Sequence, residues 1–368
     1  MSNIAVLVLG GCGFVGRNLV ELLVKEPDVA FIRVVDKVPP QMAWLSRKHA
    51  SVFESEKVQF SSCNLLSKLS REKVFLREGM RSFDFVINLA AETKPGQDEA
   101  VYREGIVSLS VACAEEALKT GVKRYVELSS GNMGSSEKHP MKENANPEPW
   151  TEMAKHKRIV EQKLSKMIHD LDIIFIRPPL VYGRADRNSL MPWIAIAAVY
   201  KHLSETMEIL WTEKLRRDVC HVTDLSRAIW HLTLNGKRGE VYNITDMSET
   251  TLGEIIDVIC GMINVKYSFL GNFWSSLAKL DLEGVVEEGN EKHLNEWSRL
   301  CKENGLENTP VSPFISKETI LGKHLWLDTT KLKATGFCPL YPKIEACHLK
   351  EVIDEFIEQD LFPASVFG

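Results

Sequence analysis

Three glycines spaced three residues apart, Gly10, Gly13 and Gly16, are the residues of this chain best suited to handling a phosphate. An apolar run over residues 4–9 leads into them and an amphipathic run over residues 17–24 leaves them, so the pattern predicts strand, turn and helix. In such a turn the first glycine permits the tight bend and the second lets the backbone approach a pyrophosphate. The third lets helix and strand pack closely. Phe14 and Val15 then open the helix, whose free N–H groups and dipole favour an anion. Asp36 stands twenty residues past Gly16, at the end of the apolar run 31–35. A carboxylate there accepts from the adenosine ribose hydroxyls and repels a 2′-phosphate. The expected cofactor is therefore NAD(H), with Lys37 beside Asp36 blurring the preference over NADP.

Composition narrows the class of protein. At 368 residues the chain suits a nucleotide-binding domain plus a smaller lobe. Hydrophobic content of 44% and charged content of 26% are ordinary for a globular chain. A net charge of −5, without interleaved basic and aromatic residues, speaks against a nucleic-acid or anionic-membrane surface. Residues 4–9 are too short for a signal peptide, and no apolar stretch is long enough to span a bilayer. The eight cysteines form no CxxC pair and the ten histidines show no metal spacing. Reduced thiols, a cytoplasmic location and no metal are the expectation.

Several elements must position these groups. Strands are expected at 4–9, 31–35, 58–60, 84–89, 124–128 and 173–176, with long helices over about 98–119 and 150–170. Alternating β and α with short links predicts an α/β Rossmann fold, a doubly wound parallel sheet over residues 1–183. A smaller C-terminal α/β substrate or partner lobe over 184–368 follows. Its stretch 205–245 is a candidate source of strands returning to the sheet, and 265–325 is an irregular insert. Ligands bind beyond strand C-termini in such sheets. Besides the glycine turn and Asp36, the expected cofactor contacts are Asn64, Leu65, Ala90, Ala91 and Pro178.

At this point the sequence resembles the extended short-chain dehydrogenases/reductases, the NAD-dependent epimerase/dehydratase group. The resemblance rests on the glycine turn, on Asn88-Leu89-Ala90-Ala91, on Leu128-Ser129-Ser130 with Met133-Gly134, and on the segments 177–183, 217–225, 242–244 and 327–332. It covers about nine tenths of the chain, and 265–325 is the poor part. It implies a homodimer through the helices at 98–119 and 150–170. It also implies a catalytic tyrosine and lysine four residues apart on one helix, with a serine at the end of strand five. The lysine lowers the phenol pKa and holds the nicotinamide ribose, and the phenolate exchanges a proton with substrate as hydride moves. Glu161 matches the family's glutamate four residues after that lysine. This makes Lys157 the lysine and puts Met153 where the tyrosine belongs. A thioether neither donates nor accepts a catalytic proton. No tyrosine lies between 126 and 181, so a shifted register restores none.

Ser129 and Lys157 remain as the catalytic candidates. Ser130, Asn132, Tyr182 and Arg217 are the candidates for substrate, Arg217 because its match binds the substrate diphosphate in nucleotide-sugar members. An ion pair with Asp218 or Asp224 is the other reading of Arg217, and Tyr182 is usually structural in the family. Pro178-Pro179 leans the substrate toward an apolar carbonyl such as a steroid. Gly105 stands where the family carries a structural asparagine. Two functions follow. One is a dinucleotide-binding structural or regulatory subunit of a larger assembly. The other is an active NAD-dependent oxidoreductase or epimerase with a substitute proton donor.

Overall fold

The computed structural model describes residues 3–77 and 82–367. The N-terminal part runs β1 (Ile4–Leu9), α1 (Phe14–Lys25), β2 (Val29–Asp36), α2 (Arg47–Phe53), β3 (Val58–Ser62), α3 (Lys68–Phe75) and β4 (Phe85–Asn88). It continues through α4 (Glu99–Tyr102), a π-turn (Arg103–Ser108), α5 (Leu109–Thr120), β5 (Arg124–Leu128), α6 (Glu152–Leu164) and β6 (Ile173–Arg177). The remainder is β7 (Leu180–Tyr182), α7 (Met191–Leu203), β8 (Met207–Ile209), β9 (Val219–His221), α8 (Val222–Asn235), β10 (Val241–Asn243) and α9 (Leu252–Ile263). It ends with β11 (Tyr267–Phe269), α10 (Gly271–Ala278), α11 (Leu282–Glu303), α12 (Thr330–Lys333) and α13 (Ala346–Ile357).

Seven strands form one parallel sheet in the order β10-β6-β5-β4-β1-β2-β3. The order reverses between β1 and β4, which opens a crevice beyond their C-terminal ends. Strand residues alternate between two apolar layers. Leu7, Leu9, Val86 and Phe175 face α3, α5 and α6, while Val6, Val8, Ile87 and Ile174 face α1 and α8. A third core, built around α7, α9 and α13, belongs to the second lobe. The seventh strand, β10, comes from beyond residue 183.

Two expected elements differ in form. The helix over 98–119 is interrupted by the π-turn, where the Gly105 carbonyl accepts from Glu92 N (3.1 Å). A Cβ at Gly105 would lie 2.9 Å from Glu92 Cβ, so the close approach requires glycine. In the insert, the acidic run 281–288 is helical and opens the 22-residue α11. Acids in its first turn favour the helix dipole, and Trp297, Leu300 and Cys301 anchor its later turns.

Candidate functional site

The glycine turn is a backbone cradle. Gly10 holds a positive φ of 78°, and a Cβ there would sit 2.7 Å from Ala90 N. A Cβ at Gly16 would sit 2.3 Å from the Gly10 carbonyl. Helix α1 starts at Gly13 with no side-chain cap and no acid in its first turn. Its leading N–H groups at Phe14, Val15 and Gly16 are thus left to an outside acceptor. Asp36 ends β2 and accepts from Cys12 N (3.0 Å) and Val38 N (3.0 Å), which ties the acid to the cradle. Ala90 follows β4, with its N–H on Asn88 Oδ1 (3.2 Å). Asn64 and Leu65 follow β3, Leu65 buried and Asn64 exposed with its Oδ1 on Leu66 N (3.1 Å). These residues line one end of the sheet and fit a dinucleotide.

Arg17 is a brace that the sequence reading missed. Its guanidinium is 1% exposed and donates to the carbonyls of Cys12 (2.5 Å), Gly13 (3.2 Å), Ala43 (2.7 Å) and Trp44 (2.9 Å). It joins the cradle to the turn after β2. Burial pulls its pKa down to about 10. The available signal was an arginine on the inward face of an otherwise apolar helix. Cys12, in the cradle itself, is buried and its thiol is pushed up to about 12 by that burial, which leaves it inert.

The opposite side of the crevice is closed by two buried ionic networks. Lys157 Nζ on α6 donates to Glu127 Oε1 on β5 (2.9 Å), with side chains 4% and 0% exposed. Glu127 also accepts from Ser110 Oγ (3.0 Å), Asn88 Nδ2 (2.7 Å) and the Tyr125 hydroxyl (3.3 Å). Four donors fill a carboxylate's lone pairs. A glutamate within the apolar run 125–128 was the sequence signal for such a partner. Ser129 Oγ donates to Glu161 Oε1 (2.7 Å), and Arg177 grips the same carboxylate through Nε (2.8 Å) and Nη2 (2.6 Å). The Ser129 proton is therefore committed, and Glu161 registers α6 against β5 and β6.

Met153 packs half-buried on the sheet-side core, one turn before Lys157. The phenol that packs on α6 is Tyr102, whose ring lies 5.5 Å from His156. Its hydroxyl donates to the Lys94 carbonyl (2.8 Å), and burial raises its pKa. His156 Nδ1 is bonded back to the Glu152 carbonyl (2.8 Å). Ser130 Oγ accepts from the half-buried Asn132 through its N–H (3.2 Å), and the Pro178 carbonyl accepts from Gly131 N (2.7 Å). Tyr182, expected at the substrate, is 0% exposed in the second-lobe core with its ring edge on His221 (5.2 Å). Arg217 does not pair with Asp218 or Asp224. Its Nη2 donates to the carbonyls of Thr319 (3.2 Å) and Leu321 (2.8 Å), and burial lowers its pKa to about 10.

A reversed parallel sheet, a glycine cradle at its switch point and an acid at the end of β2 define a dinucleotide-binding protein of the extended short-chain dehydrogenase/reductase class. The chain belongs to the NAD dependent epimerase/dehydratase family, whose sequence pattern matches residues 6–245, and NAD is its cofactor. It is 26% identical over 195 residues to a UDP-glucose 4-epimerase of Vibrio cholerae, a match spanning 51% of this chain and 56% of that enzyme. Solved structures share the fold. A UDP-N-acetylglucosamine 4-epimerase from Methanobrevibacter ruminantium superposes with a TM-score of 0.69 at 19% identity, covering 98% of this chain and 100% of that one. The dTDP-glucose 4,6-dehydratase of Streptomyces venezuelae, solved with NAD bound, gives 0.70 at 18% identity, covering 99% and 100%. No helix among the described residues is long and apolar enough to cross a membrane.

Proposed function

We propose that this chain binds NAD(H) and transfers little or no hydride, acting as a structural or regulatory subunit whose fold the dinucleotide stabilises by mass action. The observation behind the reading is Met153 in the place of the proton-exchanging phenol. Bound NAD would supply a hydride acceptor. The chain would hold its pyrophosphate at Gly10, Gly13 and Gly16 and its adenosine ribose at Asp36. The nicotinamide ribose would fall to the ammonium hydrogens that Lys157 does not give to Glu127. Proton transfer then has no donor at 153, and losing one general acid typically costs about 10²–10⁴-fold in rate. The test is calorimetry with NAD⁺ and NADH, followed by turnover of UDP-glucose and of a panel of apolar ketones. Binding with turnover far below an ordinary kcat of about 1–10³ s⁻¹ is expected. Ordinary turnover that Lys157→Ala abolishes would overturn it.

The second reading is an active NAD-dependent oxidoreductase or epimerase acting on a nucleotide sugar, using Lys157, Ser129 and a substitute proton donor. It draws on Arg217, a half-buried guanidinium whose only hydrogen-bonding partners among the described residues are neutral carbonyls. In both readings Arg217 anchors the phosphates of a second ligand, Ser130 and Asn132 are further ligand contacts, and residues 184–368 are the ligand or partner lobe. Free thiols at all eight cysteines fit work in the cytoplasm. A homodimer through α4, α5 and α6 is proposed with it, for which sedimentation is the check.

A further inference from the structure

The insert was the least readable part of the sequence, and its last stretch crosses the crevice. Residues 316–324 tie the two sides of the site together. On the side of α6, Glu318 Oε1 accepts from Glu152 N (2.7 Å), one residue before Met153. On the side of the second lobe, Thr319 and Leu321 give their carbonyls to Arg217, and Ile320 gives its carbonyl to Trp211 Nε1 (2.8 Å). The stretch ends with His324 N donating to Ser135 Oγ (2.8 Å), on the loop after β5. Two groups that would attract an anion, a guanidinium and a helix N-terminus, are therefore both satisfied by the chain itself.

We propose that residues 316–324 are a strap that fills the anion-recognising part of the crevice in cis, released when a ligand phosphate takes Arg217 from the Thr319 and Leu321 carbonyls. The proposal rests on the reading of Arg217 as a phosphate anchor. The exchange is favourable in kind. Two neutral carbonyls give the half-buried guanidinium no counter-charge, whereas a phosphate offers charge-assisted, bidentate bonds. The strap is also suited to leaving. Side-chain contacts from Arg217, Trp211, Ser135 and Glu137, with Arg216 N on His324 Nδ1 (3.1 Å), hold it in place, and the first β-bridge, Arg217 to Leu325, comes only after it. At Gly322 a Cβ would lie 2.6 Å from the Trp211 indole, so the strap seats on that ring only with glycine there. A ligand that must displace the strap binds more weakly than the bare site would allow, by the fraction of time the strap is open.

The test is hydrogen exchange of the full chain with NAD⁺ present, with and without UDP-glucose or inorganic pyrophosphate, alongside calorimetry for each. The amides of His324 and Glu152 are hydrogen-bonded across the two ends of the strap, to Ser135 Oγ and Glu318 Oε1, so their exchange reports strap opening. We expect at least a tenfold faster exchange at His324 and Glu152 at saturating UDP-glucose. Gly322→Val should open the strap without ligand and tighten UDP-glucose and pyrophosphate about tenfold, with its melting temperature confirming that the variant folds. Binding with unchanged or slowed strap exchange would overturn the proposal, as would an opened strap in Gly322→Val without tighter binding. If neither wild type nor Gly322→Val binds UDP-glucose or pyrophosphate while NAD⁺ still binds, the phosphate reading of Arg217 fails, and the strap release with it.

Discussion

Helices α1 and α6 begin in opposite ways. The first starts at a glycine with no side-chain cap and no acid in its first turn, inside a cradle that an added Cβ would fill. The second is capped by Thr151, whose hydroxyl takes Ala154 N (3.1 Å), carries Glu152 in its first turn, and receives the Glu318 carboxylate. One N-terminus is left open to an anion and the other is answered by the chain's own oxygens. The same contrast runs through the side chains nearby. Around α1 they brace a backbone surface, as Arg17 does. Around α6 the two groups suited to catalysis, Ser129 and Lys157, are bound to buried carboxylates. A cofactor cradle depends on backbone shape, which glycines secure. A proton-transfer site depends on the hydrogen-bonding state of its side chains, which here is set by Glu127 and Glu161.

Four experiments can break or sharpen that contrast. The largest effect is expected from Glu127→Leu, which strands the Lys157 charge in the interior and should cost about 3–5 kcal/mol in denaturant unfolding. Adding Lys157→Met should recover the part of that loss due to the stranded charge, because a buried pair replaced whole is often neutral, while Ser110, Asn88 and Tyr125 stay without their acceptor. If the double variant is as unstable as the single one, the pair is not the source of the effect. Next is Gly16→Val, whose Cβ would begin 2.3 Å from the Gly10 carbonyl. It should weaken NAD⁺ by at least 100-fold in calorimetry, about 2.7 kcal/mol. Unchanged affinity would remove the cradle from the account. Third, Met153→Tyr should raise turnover of UDP-glucose or a ketone by about 100-fold, the low end of what one general acid contributes. A flat result would mean that the Glu127 and Glu161 networks, and not the thioether alone, silence α6.

The smallest effect at neutral pH concerns titration, because it appears only as the medium is acidified. His49, wholly buried on α2, has its pKa pushed down to about 3 from 6.5 by burial, with Arg184 and Arg17 adding to the shift. The unfolded chain takes up this proton below about 6.5, while the folded chain refuses it until near 3. The contribution is present above that window and is lost as pH falls through it. His49→Gln should remove up to about 1.4 kcal/mol per pH unit from the slope of stability between those limits. Asp218, raised to about 7 by burial, acts in the opposite sense and favours the fold at acid pH. Its contribution is whole below about 3.8 and lost as pH rises toward 7, so Asp218→Asn is the counter-test.

Some of this was legible from local pattern. The turn at Gly10–Gly16, the acid at Asp36 and the helix end before Gly121, whose φ is +71°, all lie within short spans where spacing and residue type carry the information. The shared helix of Met153, Lys157 and Glu161 was legible as well, because all three lie within nine residues. The partners were harder to read. Glu127 is thirty residues from Lys157, and Glu318 is 166 residues from the α6 N–H that it meets. The motif around Tyr182 makes it a substrate candidate, yet the second-lobe core packs around it.

By itself, then, the sequence determined the cradle, the preference for a free ribose hydroxyl and the absence of a phenol at position 153. Each depends on residues close in the chain, where backbone geometry translates spacing directly into shape. Only the tertiary structure decided what the remaining charged and hydroxyl groups do. A buried carboxylate or guanidinium takes whichever donors and acceptors folding brings to it, because leaving it unpaired away from water costs several kcal/mol. Those partners come from distant strands and from the insert, whose path across the crevice no local pattern encodes.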